Sequence, residues 1–311
     1  MKILVTGGAG FIGSHIVDAL IDRGHQVIAV DDLSSGQERF LNPKADCRKI
    51  DIRTPEFGDL IRSERPVAIH HLAAQMSVSR SVKDPLFDAD VNIMGGLNLL
   101  LAARDVNARV IFSSTGGAIY GTDAQLPIPE TAGAWPVSMY GVSKLAFEHY
   151  LFAFKDQFGL RNTILRYSNV YGPRQNPHGE AGVVAIFALR ILAGQVCTIN
   201  GSGQDTRDYV HVDDVARANV LALEKDGAGI FNIGTGRQTS TNTIFSLLSE
   251  NLEPAARSEH GPPRAGDLPA SALDCTHANR VLGWKPTVEL EDGIAETGEW
   301  FRQNTSRPPA D

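Results

Sequence analysis

The sequence predicts an α/β fold built on a doubly wound parallel sheet, followed by a smaller mixed α/β domain. Buried strand patterns alternate with helical patterns over the first half of the chain, and a glycine-rich turn joins the first strand to the first helix. After about residue 175 the pattern becomes less regular, and prolines punctuate the loops. We therefore predict a nucleotide-binding domain over residues 1–172 and a substrate-binding domain over residues 173–311.

Composition excludes several classes of function. With 36 acidic and 29 basic residues the net charge is −7, which argues against nucleic acid as a partner. The three cysteines, Cys47, Cys197 and Cys275, match no metal-ligand spacing, so we predict packing residues, no metal site and a cytoplasmic location. No apolar run reaches the ~20 residues of a membrane span, and we interpret the apolar segment 182–194 as a packed helix.

The first strand pattern, Lys2 to Thr6, runs directly into a glycine turn that contains Gly7, Gly10 and Gly13. Phe11 and Ile12 then begin a helical pattern. Such a turn lets a pyrophosphate approach backbone N–H groups, and the helix N-terminus adds favourable partial charge. The segment predicts a cofactor site made by Gly7, Gly10, Phe11, Ile12 and Gly13.

The second strand pattern ends on two acidic residues, Asp31 and Asp32, which follow Gly13 at the distance typical of a Rossmann-type nucleotide fold. A carboxylate at this place can accept both ribose hydroxyls of an adenosine, whereas it would repel a 2′-phosphate. The sequence therefore favours NAD over NADP.

Three further strand patterns continue the alternation. One runs from Cys47 to Ile50, one from Val67 to Leu72, and one from Arg109 to Ser113, with a predicted helix from Asn92 to Arg104. Small residues at Ala73 and Ala74 leave room where a nucleotide would cross the strand ends. The His70-His71 pair is interpreted as packing, since adjacent strand residues point to opposite faces.

The segment from Tyr140 to Lys144 places a phenol and an ammonium four residues apart, on one face of a predicted helix. A neighbouring cation favours the phenolate, so Lys144 is expected to make Tyr140 a usable base near neutral pH. Hydroxyls at Ser113, Ser114 and Thr115 follow a strand whose end faces the predicted cofactor cleft. Together these residues indicate proton-transfer chemistry.

The combination resembles the extended short-chain dehydrogenase/reductase family, and within it the UDP-glucose 4-epimerases. The resemblance covers the glycine turn, the Tyr140/Lys144 pair and the later segments 166–174, 206–211 and 264–269. It implies an NAD-dependent 4-epimerisation of UDP-sugars through a 4-keto intermediate, in a homodimer. It also implies that the segment around residues 210–235 packs against the first domain.

The resemblance also assigns residues to roles. Besides the glycine turn and the acidic pair, cofactor binding is assigned to Asp51, Ile52, Leu72, Ala73, Ala74, Asn92, Ser113, Tyr140, Lys144 and Tyr167. The catalytic residues are Thr115, Tyr140 and Lys144, where counting from Phe112 selects Thr115 and leaves Ser114 as the alternative. Substrate binding is assigned to Thr115, Tyr140, Asn169, Thr198, Asn200, Arg207, Arg264, Asp267 and Ser271.

Ser271 bears on substrate breadth, because in the resembling family a large tyrosine at the matching position excludes an N-acetyl group. A serine there implies activity on UDP-N-acetylglucosamine as well as UDP-glucose. Two alternatives remain open. One is another UDP-sugar enzyme of the same family, such as a UDP-glucuronate 4-epimerase or decarboxylase, and the other is a non-catalytic NAD-binding sensor.

Overall fold

A seven-stranded parallel sheet forms the centre of the computed structural model, which describes residues 1–122, 124–177, 182–225, 227–263 and 268–305. Its strands are β1 (Lys2–Thr6), β2 (Gln26–Asp31), β3 (Asp46–Lys49), β4 (Ala68–His71), β5 (Arg109–Thr115), β6 (Asn162–Tyr167) and β11 (Gly229–Ile233). Their order in the sheet is β11-β6-β5-β4-β1-β2-β3. The predicted fold class is confirmed.

Helices cover both faces of this sheet. They are α1 (Phe11–Asp22), α2 (Pro55–Glu64), α3 (Val78–Lys83), α4 (Pro85–Ala89), α5 (Gly96–Val106), α6 (Gly116–Ile119) and α7 (Met139–Phe158). A 3-10 turn spans Glu38–Phe40 and a π-helix spans Asp90–Gly95. Apolar residues of α2, α5 and α7 pack on one face, and those of α1 and the later helix α9 (Val212–Glu224) pack on the other. The sheet is therefore buried on both sides, as its nearly continuous apolar strands require.

The remaining elements form smaller units beside the sheet. Their helices are α8 (Val183–Leu192), α10 (Thr241–Leu252), α11 (Thr276–Leu282) and α12 (Leu290–Asn304). Their strands are β7 (Asn169–Tyr171), β8 (Cys197–Asn200), β9 (Thr206–Arg207), β10 (Tyr209–His211), β12 (Thr239–Ser240) and β13 (Ser258–Gly261). These strands pair two by two, β7 with β10, β8 with β13 and β9 with β12. Helices α8, α10 and α12 enclose a separate apolar core.

Strand β11 comes from beyond residue 173, yet it pairs in parallel with β6 over Gly229–Ile233. Helix α9, which precedes β11, packs against α1 through Ala216 and Val220. The boundary at residues 172 and 173 stays a prediction, since the central sheet draws on chain from both sides of it.

Three details differ from the sequence analysis. The helix predicted to begin at Asn92 starts earlier, as a π-helix that passes into α5 at Gly96. Cys47 is exposed on the edge strand β3, so the expectation that it packs is wrong, whereas Cys197 is buried. By contrast, one expectation is confirmed: the apolar segment 182–194 contains α8, which packs through a buried face.

The third difference concerns hydropathy. The continuous helical stretch Pro85–Val106 is 22 residues long and contains an 18-residue window with a mean hydropathy of 1.3, so it is long and apolar enough to cross a membrane. The sequence analysis had found no run of that length. In this structure 44% of that window is buried, and the α5 portion of the stretch packs against α2 and α7 as a core helix does.

Candidate active site

The glycine turn after β1 packs so closely against neighbouring backbone that side chains on it would collide. Gly7 has φ of +69°, and a Cβ on it would lie 2.9 Å from the backbone nitrogen of Ala73. A Cβ on Gly13 would lie 2.0 Å from the carbonyl oxygen of Gly7. Helix α1 begins at Phe11 with Gly10 as its N-cap, and no side chain caps the first turn. Its N-terminal N–H groups thus stand where a pyrophosphate would be bound.

Asp31 ends β2 beside this turn. One of its carboxylate oxygens accepts the N–H of Ala9 (3.0 Å), and the other accepts the N–H of Leu33 (2.9 Å). Burial raises the pKa of Asp31, although both backbone bonds oppose that shift. Asp32 is exposed and accepts the N–H of Ser34. Asp31, not Asp32, therefore connects the second strand to the glycine turn.

The end of β4 lies next to the same turn. The Thr6 hydroxyl oxygen accepts the backbone N–H groups of Leu72 (3.0 Å) and Ala73 (3.1 Å). Ala73 and Ala74 are half-buried and small, as the sequence analysis expected of a surface that a nucleotide crosses. The predicted pair Asp51 and Ile52 divides into two environments. Asp51 binds Arg53, which lowers the pKa of Asp51, and Ile52 packs in the core.

Both the oxygen and the nitrogen of the Asn92 side-chain amide form hydrogen bonds within the protein. Its oxygen accepts the N–H of Gln75 (2.8 Å), and its nitrogen contacts the carbonyl of Gln75, the carboxylate of Asp88 and the hydroxyl of Ser143 at 2.9–3.2 Å. The residue joins the chain after β4, the π-helix and α7. Its position favours holding the site together over direct contact with a cofactor, the role that the resemblance implied.

Tyr140 and Lys144 lie one turn apart near the start of α7, as predicted. The Ser138 hydroxyl caps this helix by accepting the N–H of Gly141 (3.1 Å). The Lys144 ammonium stands 4.3 Å from the centroid of the Phe112 ring on β5. The helix therefore sets the Lys144 ammonium against the strand that carries the hydroxyl cluster.

The electrostatics of the pair differ from the expectation. Burial raises the pKa of the half-buried Tyr140, and the carboxylate of Asp88 raises it further. Burial also lowers the pKa of Lys144 to about 7, although Glu148 and Asp88 oppose that shift. The attraction of Lys144 was expected to lower the pKa of Tyr140. Loss of hydration instead sets the direction of the shift, and Asp88 acts in the same direction.

The three hydroxyls at the end of β5 have different surroundings. Ser114 donates to Glu148 (2.5 Å) in the buried layer under α7, whereas Ser113 bonds the hydroxyl of Tyr167 (2.8 Å). Burial raises the pKa of Tyr167 to about 12, and its oxygen also accepts from Asn219. Thr115 is half-buried at the start of α6, with its hydroxyl 3.9 Å from the position of a Cβ on Gly117. Among the described residues, the Ser113 and Ser114 hydroxyls have protein partners and the Thr115 hydroxyl has none, which favours Thr115 over Ser114.

The predicted substrate residues fall into two groups. Asn169 lies near Thr115, because the same Cβ position on Gly117 is 3.8 Å from the Asn169 amide oxygen. Arg207, on β9, donates to the carbonyl of Leu268 (2.7 Å) and so faces the chain that follows Asp267. Thr198 and Asn200 lie on β8 in a separate two-stranded sheet. Arg264 and Asp267 lie outside the described residues.

Ser271 is buried and lines a pocket together with the Gly116–Gly117 pair and Leu268. Its backbone N–H donates to the carbonyl of Thr206 (3.1 Å), which fixes the segment beside β9. The pocket thus joins the loop after Thr115 to the segment that carries Ser271.

Sequence analysis missed a buried polar network behind the site. The Glu148 carboxylate forms an ion pair with the Arg166 guanidinium, which donates as well to the Tyr120 hydroxyl (2.9 Å). Tyr120 in turn donates to Asn232 on β11 (2.8 Å). The one available signal was Glu148 itself, an acidic residue one turn after Lys144 on a helix face that is otherwise apolar.

Comparisons with known proteins agree with this arrangement. The family model described as "NAD dependent epimerase/dehydratase family" matches residues 3–234. The UDP-glucose 4-epimerase of Mycolicibacterium smegmatis is 46% identical, over 98% of this chain and 100% of that protein. The crystal structure of a UDP-glucose 4-epimerase from Thermotoga maritima, solved with UDP-glucose, is 50% identical with a TM-score of 0.96, and covers 98% of this chain and 100% of that one.

A third similar protein has another substrate in its name. The UDP-N-acetylglucosamine 4-epimerase from Methanobrevibacter ruminantium M1, solved in complex with UDP-N-acetylmuramic acid, is 35% identical with a TM-score of 0.93. The likeness covers 98% of this chain and 99% of that one.

Proposed function

Since this chain belongs to the NAD dependent epimerase/dehydratase family, we propose that it inverts the configuration at carbon 4 of UDP-sugars, converting UDP-glucose and UDP-galactose into each other. The observation that carries the proposal is the Tyr140–Lys144 turn, set against the strand that ends at Thr115. The full-length similarity to UDP-glucose 4-epimerases supports the same reaction.

NAD fits the residues present. Gly7 and Gly13 let the turn pack against neighbouring backbone with no side chain over it, and the N-terminus of α1 is free of side-chain caps. We assign Asp31 to the adenosine ribose, where its negative charge would repel a 2′-phosphate. When bound, NAD supplies the acceptor and donor of a hydride.

Each residue of the site then has a role in handling the sugar. Tyr140 takes the proton of the 4′-hydroxyl as carbon 4 is oxidised, and it returns that proton after the 4-keto sugar has turned. Lys144, in its protonated form, stabilises the phenolate. The Thr115 hydroxyl donates a hydrogen bond to the sugar oxygen and holds it within reach of Tyr140.

Binding of the UDP portion is assigned to Arg207 and Asn169, with Arg264 and Asp267 added by the family resemblance. Arg207 is half-buried, and its described hydrogen bonds go to the carbonyls of Thr206 and Leu268 and not to a carboxylate. Its positive charge is thus available for a diphosphate, which a guanidinium binds well.

Product analysis tests the proposal. The purified protein is incubated separately with UDP-glucose and with UDP-galactose, and the nucleotide sugars are resolved. Both reactions should reach the same mixture. Tyr140→Phe should slow turnover by at least about 10²-fold while leaving the calorimetric affinity for UDP nearly unchanged, because only the proton acceptor is lost.

Two outcomes would favour the alternatives. Conversion of UDP-glucuronate, by epimerisation or by loss of carbon dioxide, without conversion of UDP-glucose would identify a uronic-acid enzyme of the same family. Binding of NAD without turnover of any of these sugars would support a sensor.

We further propose that the site accepts N-acetylated UDP-sugars. The support is the pocket that Ser271 lines beside Gly116 and Gly117, together with the similar UDP-N-acetylglucosamine 4-epimerase. Filling this pocket should exclude an acetamido group at a cost of about 1–3 kcal/mol. Ser271→Tyr is therefore expected to suppress turnover of UDP-N-acetylglucosamine and largely spare UDP-glucose. Equal effects on both substrates would remove Ser271 from substrate selection.

A homodimer in the cytoplasm is the proposed state of the protein. Helices α5 and α7 expose large apolar side chains, among them Leu101, Val142, Tyr150 and Phe152, and a second copy could cover them. The free cysteines support a reducing compartment. Light scattering of the purified protein should give twice the mass of one chain, and a monomer would contradict the assignment.

A further inference from the structure

Asp88, on α4, is a buried carboxylate that the sequence analysis did not single out. It is 1% exposed. One of its oxygens accepts from the side-chain amides of Gln75 (2.7 Å) and Asn92 (3.2 Å). Within the described residues no cationic side chain forms an ion pair with it. A buried charge without such a partner is unfavourable for stability, so its presence calls for a reason in function.

A short chain of hydrogen bonds connects Asp88 to the first turn of α7. Asn92 donates to the Ser143 hydroxyl (3.1 Å), and Ser143 donates to the carbonyl of Tyr140 (3.0 Å). Ser143 directly precedes Lys144 and lies three residues after Tyr140, in the same turn of the helix. The Asp88 carboxylate is therefore linked by hydrogen bonds through Asn92 and Ser143 to the backbone of the Tyr140–Lys144 turn.

We propose that Asp88 is a positioning residue of the reaction, and that its negative charge sets the charge balance of the Tyr140–Lys144 pair. The role in catalysis rests on the proposed function, whereas the effect on the pair belongs to the folded protein itself. Asp88 acts on both members: its charge favours the protonated ammonium of Lys144 and disfavours the phenolate of Tyr140. It thereby raises the pKa of both groups and favours the form of the pair in which both are protonated.

The other charged and titratable groups around the pair do not replace Asp88. Glu148 faces Lys144 from the next turn of α7, but Arg166 pairs with it. His71 on β4 is buried, and its pKa is lowered to about 3, so it is neutral.

Groups on the neighbouring short helices are engaged elsewhere. On α3, the Arg80 guanidinium stacks 4.0 Å from the centroid of Phe87, and on the π-helix Asp90 binds Arg53. Among the described residues, Asp88 is thus the carboxylate near the pair that no arginine pairs with, whereas Arg166 pairs with Glu148 and Arg53 pairs with Asp90.

The test measures the titration of Lys144, which does not depend on turnover. The full chain, saturated with NAD and labelled with ¹³C at the lysine ε-carbons, is titrated by NMR, and Lys144→Arg identifies the signal. Asp88→Asn keeps an oxygen for Gln75 and Asn92 but removes the charge. Asp90→Asn removes an exposed charge from the adjoining π-helix and serves as the matched control.

Asp88→Asn is expected to lower the titration midpoint of Lys144 by about one pH unit, and Asp90→Asn should leave it in place. In the epimerisation assay both limbs of the pH profile of kcat/KM should move to lower pH in Asp88→Asn, because Tyr140 and Lys144 both lose the same negative neighbour. A merely structural role would lower the rate at every pH and move neither limb. Asp88→Ser, smaller but also uncharged, replaces Asp88→Asn if that variant does not fold.

The same Lys144 midpoint in Asp88→Asn and Asp90→Asn would overturn the proposal. Failure of the proposed function looks different: the wild-type protein would not convert UDP-sugars, although the midpoints of the two variants would still differ.

Discussion

At the scale of the residue, the chemistry depends on two ionisable groups that are buried, and burial disfavours their charged forms. Tyr140 and Lys144 both lose hydration in the fold. Burial raises the pKa of Tyr140 and lowers the pKa of Lys144, so it favours the neutral form of each. Spacing in the sequence predicted the pair, because α-helix geometry fixes which residues share a face. It could not predict the direction of the pKa shift, since that depends on burial and on Asp88, which lies 52 positions before Tyr140 in the chain.

The stability of the protein should depend on pH through Lys144. Burial lowers its folded-state pKa from 10.5 to about 7. Below that value the ammonium is charged in both folded and unfolded chains, so the folded state bears the full penalty. As the pH rises from about 7 to about 10, the folded chain loses its proton first and the penalty disappears.

Lys144→Met should therefore increase the free energy of unfolding at about pH 6, on the order of a few kcal/mol, with a gain that shrinks toward about pH 10. Chemical denaturation of the NAD-free protein measures it. The control is Lys155→Met, which removes an exposed lysine from the same helix. A gain for Lys144→Met that is independent of pH would contradict the account.

Ser114 and Thr115 should separate stability from catalysis. Ser114→Ala leaves the buried Glu148 carboxylate without one donor and should reduce the free energy of unfolding by about 1–3 kcal/mol. Thr115→Val should preserve thermal unfolding but slow turnover by about tenfold, because a hydrogen bond to the sugar is lost. If Ser114→Ala preserved stability and slowed turnover more than Thr115→Val, the roles would be reversed.

At the scale of the element, the strands of the central sheet were predictable because they are buried on both faces and read as apolar runs. The strand ends then follow from topology, so Thr6, Ala73 and Thr115 meet at one edge of the sheet. The π-helix Asp90–Gly95 was not predictable, since a π-turn differs from an α-turn by tertiary contacts and not by apolar spacing. Its buried Asn92 ties three segments together, a contact pattern that only the fold creates.

A side chain in the glycine turn should displace the backbone that faces the proposed cofactor site. In Gly13→Ala the new methyl would lie against the Gly7 carbonyl, and we expect affinity for NAD to fall about 10- to 100-fold. Gly24→Ala is the control, because a Cβ on Gly24 would meet nothing within 4 Å, although its φ of +77° adds a backbone strain that Gly13 does not have. That variant should lose some stability and keep its NAD affinity, as measured by calorimetry. Equal affinities for NAD in the two variants would show that the glycine turn does not hold the cofactor.

At the scale of the whole molecule, the substrate-side elements were the least predictable. Strands β9 and β12 have two residues each, too few for any periodicity, and they place Arg207 through their pairing with each other and through the bridge between Thr206 and Ala270. The assignment of Arg207 to the diphosphate came from the family resemblance. The structure adds that Arg207 binds the carbonyl of Leu268, which brings it beside the segment that carries Ser271.

The central claim is that one site oxidises carbon 4 and reduces it again from the other face. The most direct measurement uses UDP-galactose that carries deuterium at carbon 4, with NMR of the UDP-glucose formed in ordinary water. The account predicts that the product retains the deuterium at carbon 4, because the same hydride leaves and returns within the closed site. Product with hydrogen from solvent at carbon 4 would contradict it.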